Sequence, residues 1–143
     1  MLHRLLRKRR GSAMVEFALV APLLILILLG IMVMGVVINS KIVVAGAARE
    51  AGRTWAIVKE DGTARAKAAD AINGGGLKIT SDSKVLFNAA QDVQFQRMGD
   101  YIRVTVTYRQ PTFVPLLAQL IDPSSPVDGT ITLRSQAIFR VER

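Results

Sequence analysis

Apolar positions are arranged along this chain in three different ways. From Phe17 to Ile38 they are continuous, and FALVAPLLILILLGIMVMGVVI holds 22 residues without one charge. A helix rises about 1.5 Å per residue, so about 20 apolar residues cross a bilayer core about 30 Å thick. The run predicts one membrane-spanning helix over about 17–38. From Val44 the pattern becomes a stripe. Val44, Ala48, Ala51, Trp55 and Val58 recur at alternating spacings of four and three, while Arg49, Glu50 and Arg53 fall off it. That is the period of an amphipathic helix. One long helix is therefore expected over 12–58, about 70 Å in length. Lys59-Glu60-Asp61-Gly62 interrupts it, Thr63–Asn73 reads as a second, short helix, and Gly74-Gly75-Gly76 ends that one.

Beyond Gly76 the period drops to two. Leu77–Thr80 and Lys84–Phe87 are short strand candidates, and Val93 and Phe95 alternate with polar neighbours. Over Tyr101–Tyr108, Ile102, Val104, Val106 and Tyr108 share one face against Arg103, Thr105 and Thr107. Met98-Gly99-Asp100 is placed to turn these two strands into a hairpin. Pro111 and Pro115 end the pattern, Phe113–Ile121 reads as a short helix or packed loop, and DPSSPVDG (122–129) as a turn-rich connection. Thr130–Val141 is the last strand, with Ile131, Leu133, Ala137, Phe139 and Val141 inward. The expected class is α+β: a long N-terminal transmembrane helix packed on a small antiparallel β-sheet. Its parts are a basic leader over 1–11, the long helix over 12–58 and an exported α+β domain over 59–143. Trp55 is placed for helix–sheet packing, with the membrane interface as its other possible site.

Charge sharpens this division. The 143 residues carry 19 basic and 11 acidic side chains, formally +8, yet MLHRLLRKRR alone supplies five basic residues and no acid. The remainder is close to balanced. A nucleic-acid-binding domain spreads basic charge over its folded surface, so no nucleic-acid partner is expected. A basic flank before an apolar span leaves the N-terminus in the cytoplasm and sends the C-terminal domain across the membrane. The chain has no cysteine and a single histidine, His3, within the leader. A thiol nucleophile, a soft metal site and a Ser-His-Asp triad are thereby lost from residues 12–143. No acidic run has the spacing of a calcium loop. Neither enzymatic activity nor a metal, a cofactor or a small-molecule substrate is expected.

The junction Arg10-Gly11-Ser12-Ala13-Met14-Val15-Glu16-Phe17 holds the remaining chemistry. A cleavable signal peptide, cut near Ala45-Gly46-Ala47, would have an apolar core of about 7–15 residues, shorter than the one here. An uncleaved signal anchor and a prepilin-type leader also fit. Glu16 is the only carboxylate of the segment, at the edge of the hydrocarbon, where a charge costs several kcal/mol unless paired, hydrated or protonated. Cleavage after Gly11 would create an amine on Ser12, one helical turn from Glu16 on the same face. The plainer alternative leaves Glu16 among the lipid headgroups. Pro22 removes a backbone donor and frees the Ala18 carbonyl, which allows a bend but is also tolerated in membrane helices. Gly30 and Gly35 permit close helix approach, although their spacing is not GxxxG.

The stretch RRGSAMVEFALVAPLLILILLGI resembles the N-terminal block of the TadE-like family, minor pilins or pseudopilins of the bacterial Tad (Flp) tight-adherence pilus. Val15, Glu16, Phe17, Ala18, Leu19, Val20, Pro22 and Leu24 carry the likeness. Arg103–Tyr108 and the closing Ile131–Ala137 and Phe139–Glu142 are similar in a looser way. The resemblance implies cleavage by a prepilin peptidase between Gly11 and Ser12, with Glu16 as the assembly carboxylate. It also implies other pilin-like subunits and the Tad assembly machinery as partners. The competing expectation is a single-pass, signal-anchored periplasmic interaction protein that joins no filament. Glu16 separates the two, because a tether would tolerate its replacement by Ala or Leu.

Overall fold

The computed structural model describes residues 2–81, 84–112, 123 and 129–141, with side chains from Ala13 onward. The chain divides into two compact units, Met1–Gly35 and Val36–Arg143. Helix α1 (Leu2–Val58) contributes to both. It ends where the apolar stripe ends, but its regular backbone begins at Leu2, within the basic leader, rather than at Ser12.

In the first unit the large apolar side chains of α1 face outward. Met14, Phe17, Leu19 and Leu23 through Leu29 are all exposed, Phe17 to 72%. Each such side chain left in water forgoes about 1.5–3 kcal/mol of burial. Only a non-aqueous or protein surround suits such a surface, and the helix is long and apolar enough to cross a membrane.

The second unit holds the α+β core. After α1 come α2 (Asp61–Gly74), the two-residue strands β1 (Thr80–Ser81) and β2 (Lys84–Val85), and a single turn of helix, α3 (Ala89–Asp92). Then follow β3 (Val93–Met98), β4 (Tyr101–Pro111) and β5 (Thr130–Arg140). The last three form an antiparallel sheet in the order β3-β4-β5, and β1 pairs β2 separately. Val93↔Val106, Phe95↔Val104 and Ile102↔Phe139 set the register. The alternation seen in the sequence therefore becomes one continuous apolar face. Ile102, Val104, Val106, Tyr108, Ile131 and Leu133 are buried on it.

Local chemistry explains the boundaries. Lys59 stops α1 with φ 58°, while its N–H still bonds the Trp55 carbonyl at 2.8 Å. A non-glycine residue held there costs about 1–2 kcal/mol. Helix α2 starts at Asp61, two positions before the expected Thr63, because the break is confined to Lys59 and Glu60. It ends in a Schellman motif, with Gly76 N–H bonding Asn73 O and Leu77 N–H bonding Ile72 O. Gly76 takes the left-handed φ of 77° that this motif requires, and Leu77 and Ile72 are both buried. The hairpin at Gly99-Asp100 has positive φ at Gly99 only, the signature of a type II′ turn.

Two expectations need correction, and one element was not anticipated. Val58 does not continue the buried stripe: it is 50% exposed, and the buried positions run Val37, Ser40, Val44, Ala47, Ala48, Ala51 and Ala56. The strand candidates around 77–80 and 84–87 shrink to two-residue strands, because Leu77, Leu86 and Phe87 turn into the core rather than alternate. Helix α3 has no apolar period of its own and was not anticipated. Asn88 caps it by accepting from Ala90 N–H at 3.0 Å, and Asp92 reaches back to Asn88 N–H at 2.8 Å. The expected element at Phe113–Ile121 and most of the 122–129 connection lie outside the described residues.

Candidate functional site

The sequence concentrates its chemistry on the N-terminal part of α1. Positions 11, 12 and 16 all lie on regular helix, so 12 and 16 are one turn apart on a common face. The side chains of residues 11 and 12 lie outside the described set. Glu16 is exposed and takes part in an interaction of its own, so it is not an isolated charge. Phe17, next to it, is exposed. Helix α1 continues without a break through Pro22. Among the described residues a Cβ built on Gly30 or Gly35 would meet no atom within 4 Å, so neither glycine accommodates a neighbour there.

Glycines in the second unit behave in the opposite way. A Cβ on Gly52 would fall 2.4 Å and 2.5 Å from the Phe139 ring of β5, and one on Gly75 would fall 2.3 Å from Val43 of α1. The Ala/Gly-rich stretch 45–52 therefore lets α1 lie close on the sheet. Trp55 stacks on Phe95 of β3, with centroids 6.4 Å apart and planes at 25°, and its indole N–H donates to Asp61 at 2.7 Å. Arg65 of α2 covers the other partner of that stack, 5.4 Å from the Phe95 centroid, within cation–π range. Helix α1, helix α2 and the sheet edge are thus joined at one aromatic cluster.

Buried polar groups elsewhere serve the fold. Ser40 Oγ lies 2.6 Å from Gln110 Oε1 and 2.9 Å from the Val36 carbonyl. These groups border an open depression of about 630 Å³ that also meets Tyr108, Lys78 and Thr112. The Tyr108 hydroxyl donates to the Lys78 carbonyl at 2.9 Å, and burial raises its pKa above 10.0. None of these groups sets a nucleophile beside a base. Asp92, 5% exposed, receives both Arg109 guanidinium nitrogens at 3.0 and 3.1 Å. Both carboxylate oxygens are therefore committed to tying α3 to β4. Among the described residues no cluster of His, Asp or Glu could hold a metal ion.

Sequence reading missed the Asp92–Arg109 and Ser40–Gln110 pairs. Asp92 is separated from Arg109 by 17 positions and Ser40 from Gln110 by 70, and neither pair belongs to a short motif. The available hint for Ser40 was a polar residue at a stripe position, four before Val44.

The first unit thus presents an exposed apolar helix with a carboxylate near its start, and Val36–Arg143 supplies a compact α+β unit. No curated protein and no solved structure matches the chain. The family described as TadE-like protein matches residues 11–53, from Gly11 through the membrane-length segment into the packed part of α1.

Proposed function

We propose that this chain is a minor pilin or pseudopilin that acts in assembling or initiating a Tad (Flp) adhesive pilus. The observation that carries the reading is the TadE-like match over 11–53, which falls on a helix whose apolar surface is left uncovered. In this reading a prepilin peptidase cuts between Gly11 and Ser12. The new amine on Ser12 and the carboxylate of Glu16, one turn apart, then pair within a subunit or between subunits as helices slide into place. Gly30 and Gly35 are open surfaces against which a neighbouring helix can approach. The basic flank holds the N-terminus in the cytoplasm, and the α+β unit stands in the periplasm.

A plain membrane tether is the second reading, favoured by the compactness of Val36–Arg143 as a unit in its own right. Glu16→Leu separates the two. A tether would keep its function, since the change removes a group that is costly in the membrane. A pilin-like subunit should stay in the membrane fraction while sheared pili and surface adherence are lost. Processing is tested by Gly11→Trp and the size of the chain in cells. If wild type and variant migrate alike, cleavage at Gly11 is ruled out.

A further inference from the structure

The sheet has a second face, opposite the apolar core, where Thr105 and Thr130 are buried but Arg134, Gln136, Ile138 and Arg140 of β5 are exposed. Strands β3, β4 and β5 contain five arginines and not one Asp or Glu. Arg97 is on the apolar side, at its exposed end. By register the others share the outer face, where Tyr101 pairs Arg140, Arg103 pairs Ile138, Thr105 pairs Gln136 and Thr107 pairs Arg134. Arg103 and Arg140 are therefore diagonal neighbours, about 7–8 Å apart at the backbone. Arg134 lies about 20 Å farther along β5 from Arg140. Arg109 is neutralised by Asp92. Arg134 and Arg140 are exposed and have no carboxylate partner among the described residues. Among the described residues the Arg103 side chain hydrogen-bonds Gln96, at 3.5 Å, and its Nε is shielded from solvent with no acceptor. Such orphaned donors are uncommon in folded proteins.

Apolar groups stand among these charges. Ile138 is 56% and Tyr101 49% exposed, and Met98 lies beside Tyr101 in the register. Tyr, Met and Arg are the residues enriched where proteins bind proteins. A purely anionic polymer would gain from the arginines and nothing from Ile138. A second copy of the same face would oppose arginine with arginine in a two-fold pairing, which like-charge repulsion disfavours.

We propose that the outer face of β3-β4-β5 docks an acidic segment of a partner protein. Arg103, Arg134 and Arg140 meet its carboxylates, and Tyr101 and Ile138 seat an apolar side chain between them. The exposed end of the Arg103 guanidinium, held on one side only by a long contact to Gln96, is free to add a carboxylate there. The surface is independent of whether the chain enters a filament, because its chemistry lies wholly within the second unit.

Fluorescence anisotropy of the full-length protein in neutral detergent micelles tests it, with a labelled dodecapeptide alternating Glu and Leu as the probe. Binding should weaken roughly tenfold or more in R134E/R140E, and severalfold in Ile138→Ser, and should fall as salt screens the charges. R134Q/R140Q should move in the same direction by less. Near-ultraviolet circular dichroism from the Trp55–Phe95 stack verifies folding of each variant. The proposal is overturned by failure to bind the Glu–Leu peptide, by equal binding of R134E/R140E, or by equal binding of a Lys–Leu peptide. Binding of dextran sulfate with no loss in Ile138→Ser would instead make the face a polyanion site. Self-association abolished by R134E/R140E would make it a contact between copies. Either result also overturns the proposal.

Discussion

Gly52 offers the sharpest test of how α1 lies on the sheet. Replacing it with alanine has two opposed effects. An alanine in a helix interior is favoured over glycine by about 1 kcal/mol. The new methyl, however, would sit 2.4 and 2.5 Å from two Phe139 ring carbons, about 1 Å inside contact distance, so the ring or the helix must move. Overpacking of this kind costs about 1–3 kcal/mol. The sum is a net destabilisation of about 1 kcal/mol, or a fall in Tm of about 4 °C for a unit of this size. The decisive quantity is the coupling. In a Phe139→Ala background the clash is gone, and Gly52→Ala should stabilise by about 1 kcal/mol, reversing its sign. Gly46→Ala serves as a control, since its Cβ meets nothing within 4 Å and should gain the propensity term alone. The chain has a single tryptophan, Trp55, stacked on the sheet, so its fluorescence follows urea unfolding of this unit. If Gly52→Ala stabilises the wild-type background as much as the Phe139→Ala background, α1 does not approach β5 as described.

Two further outcomes follow from buried polar groups. Asp92→Ala removes the fork to Arg109 and leaves Asn88 N–H without its acceptor. Arg109 is 41% exposed and can turn to water, so the loss is that of a half-screened pair plus one orphaned donor, about 2–3 kcal/mol, measurable as a lower urea midpoint. Tyr108 introduces an alkaline dependence. Its folded-state pKa is raised above 10.0 by burial, so its contribution is complete below pH 10 and is lost as pH climbs through the higher folded value. The urea midpoint of wild type should therefore fall more steeply above about pH 10 than that of Tyr108→Phe. Parallel pH profiles would remove this role from Tyr108.

Periodicity carried the fold where one side of an element faced the core. Ile102, Val104, Val106 and Tyr108 alternate in the sequence and are all buried on one sheet face. Their strand and its hairpin were legible for that reason, whereas the α1 terminus at Val58 was legible from the break at Lys59-Glu60-Asp61-Gly62. Where a segment is held by contacts distant in sequence, periodicity fails. Leu86 and Phe87 are adjacent yet both buried, since the chain there turns inward between β2 and α3 instead of running along a sheet. Helix α3 is one turn held by Asn88 and by Asp92, whose other partner is Arg109. No window around residues 89–92 contains that information.

The candidate assembly surface was legible to a different extent, and the glycines show why. Six of the eight residues from Ala45 to Gly52 are small, and composition alone cannot say which small residue is used by the fold. The structure separates them. Gly52 and Gly75 are in contact with Phe139 and Val43, so their lack of a side chain is accounted for within the chain. Gly30, Gly35 and Gly46 face open space, and in a helix interior each costs about 1 kcal/mol relative to alanine with no internal return. The same holds for Phe17 and the leucines and isoleucines around it, whose exposure is unfavourable in water. The exposed apolar side chains from Phe17 to Leu29, with Gly30 and Gly35, fall within the part of α1 that the TadE-like match covers. A surface so unfavourable for the isolated chain in water calls for a non-aqueous or protein surround, which lipid and neighbouring helices would supply under the proposed pilin-like role. That is the physical ground for reading α1 as an element that works in company rather than as a simple stalk.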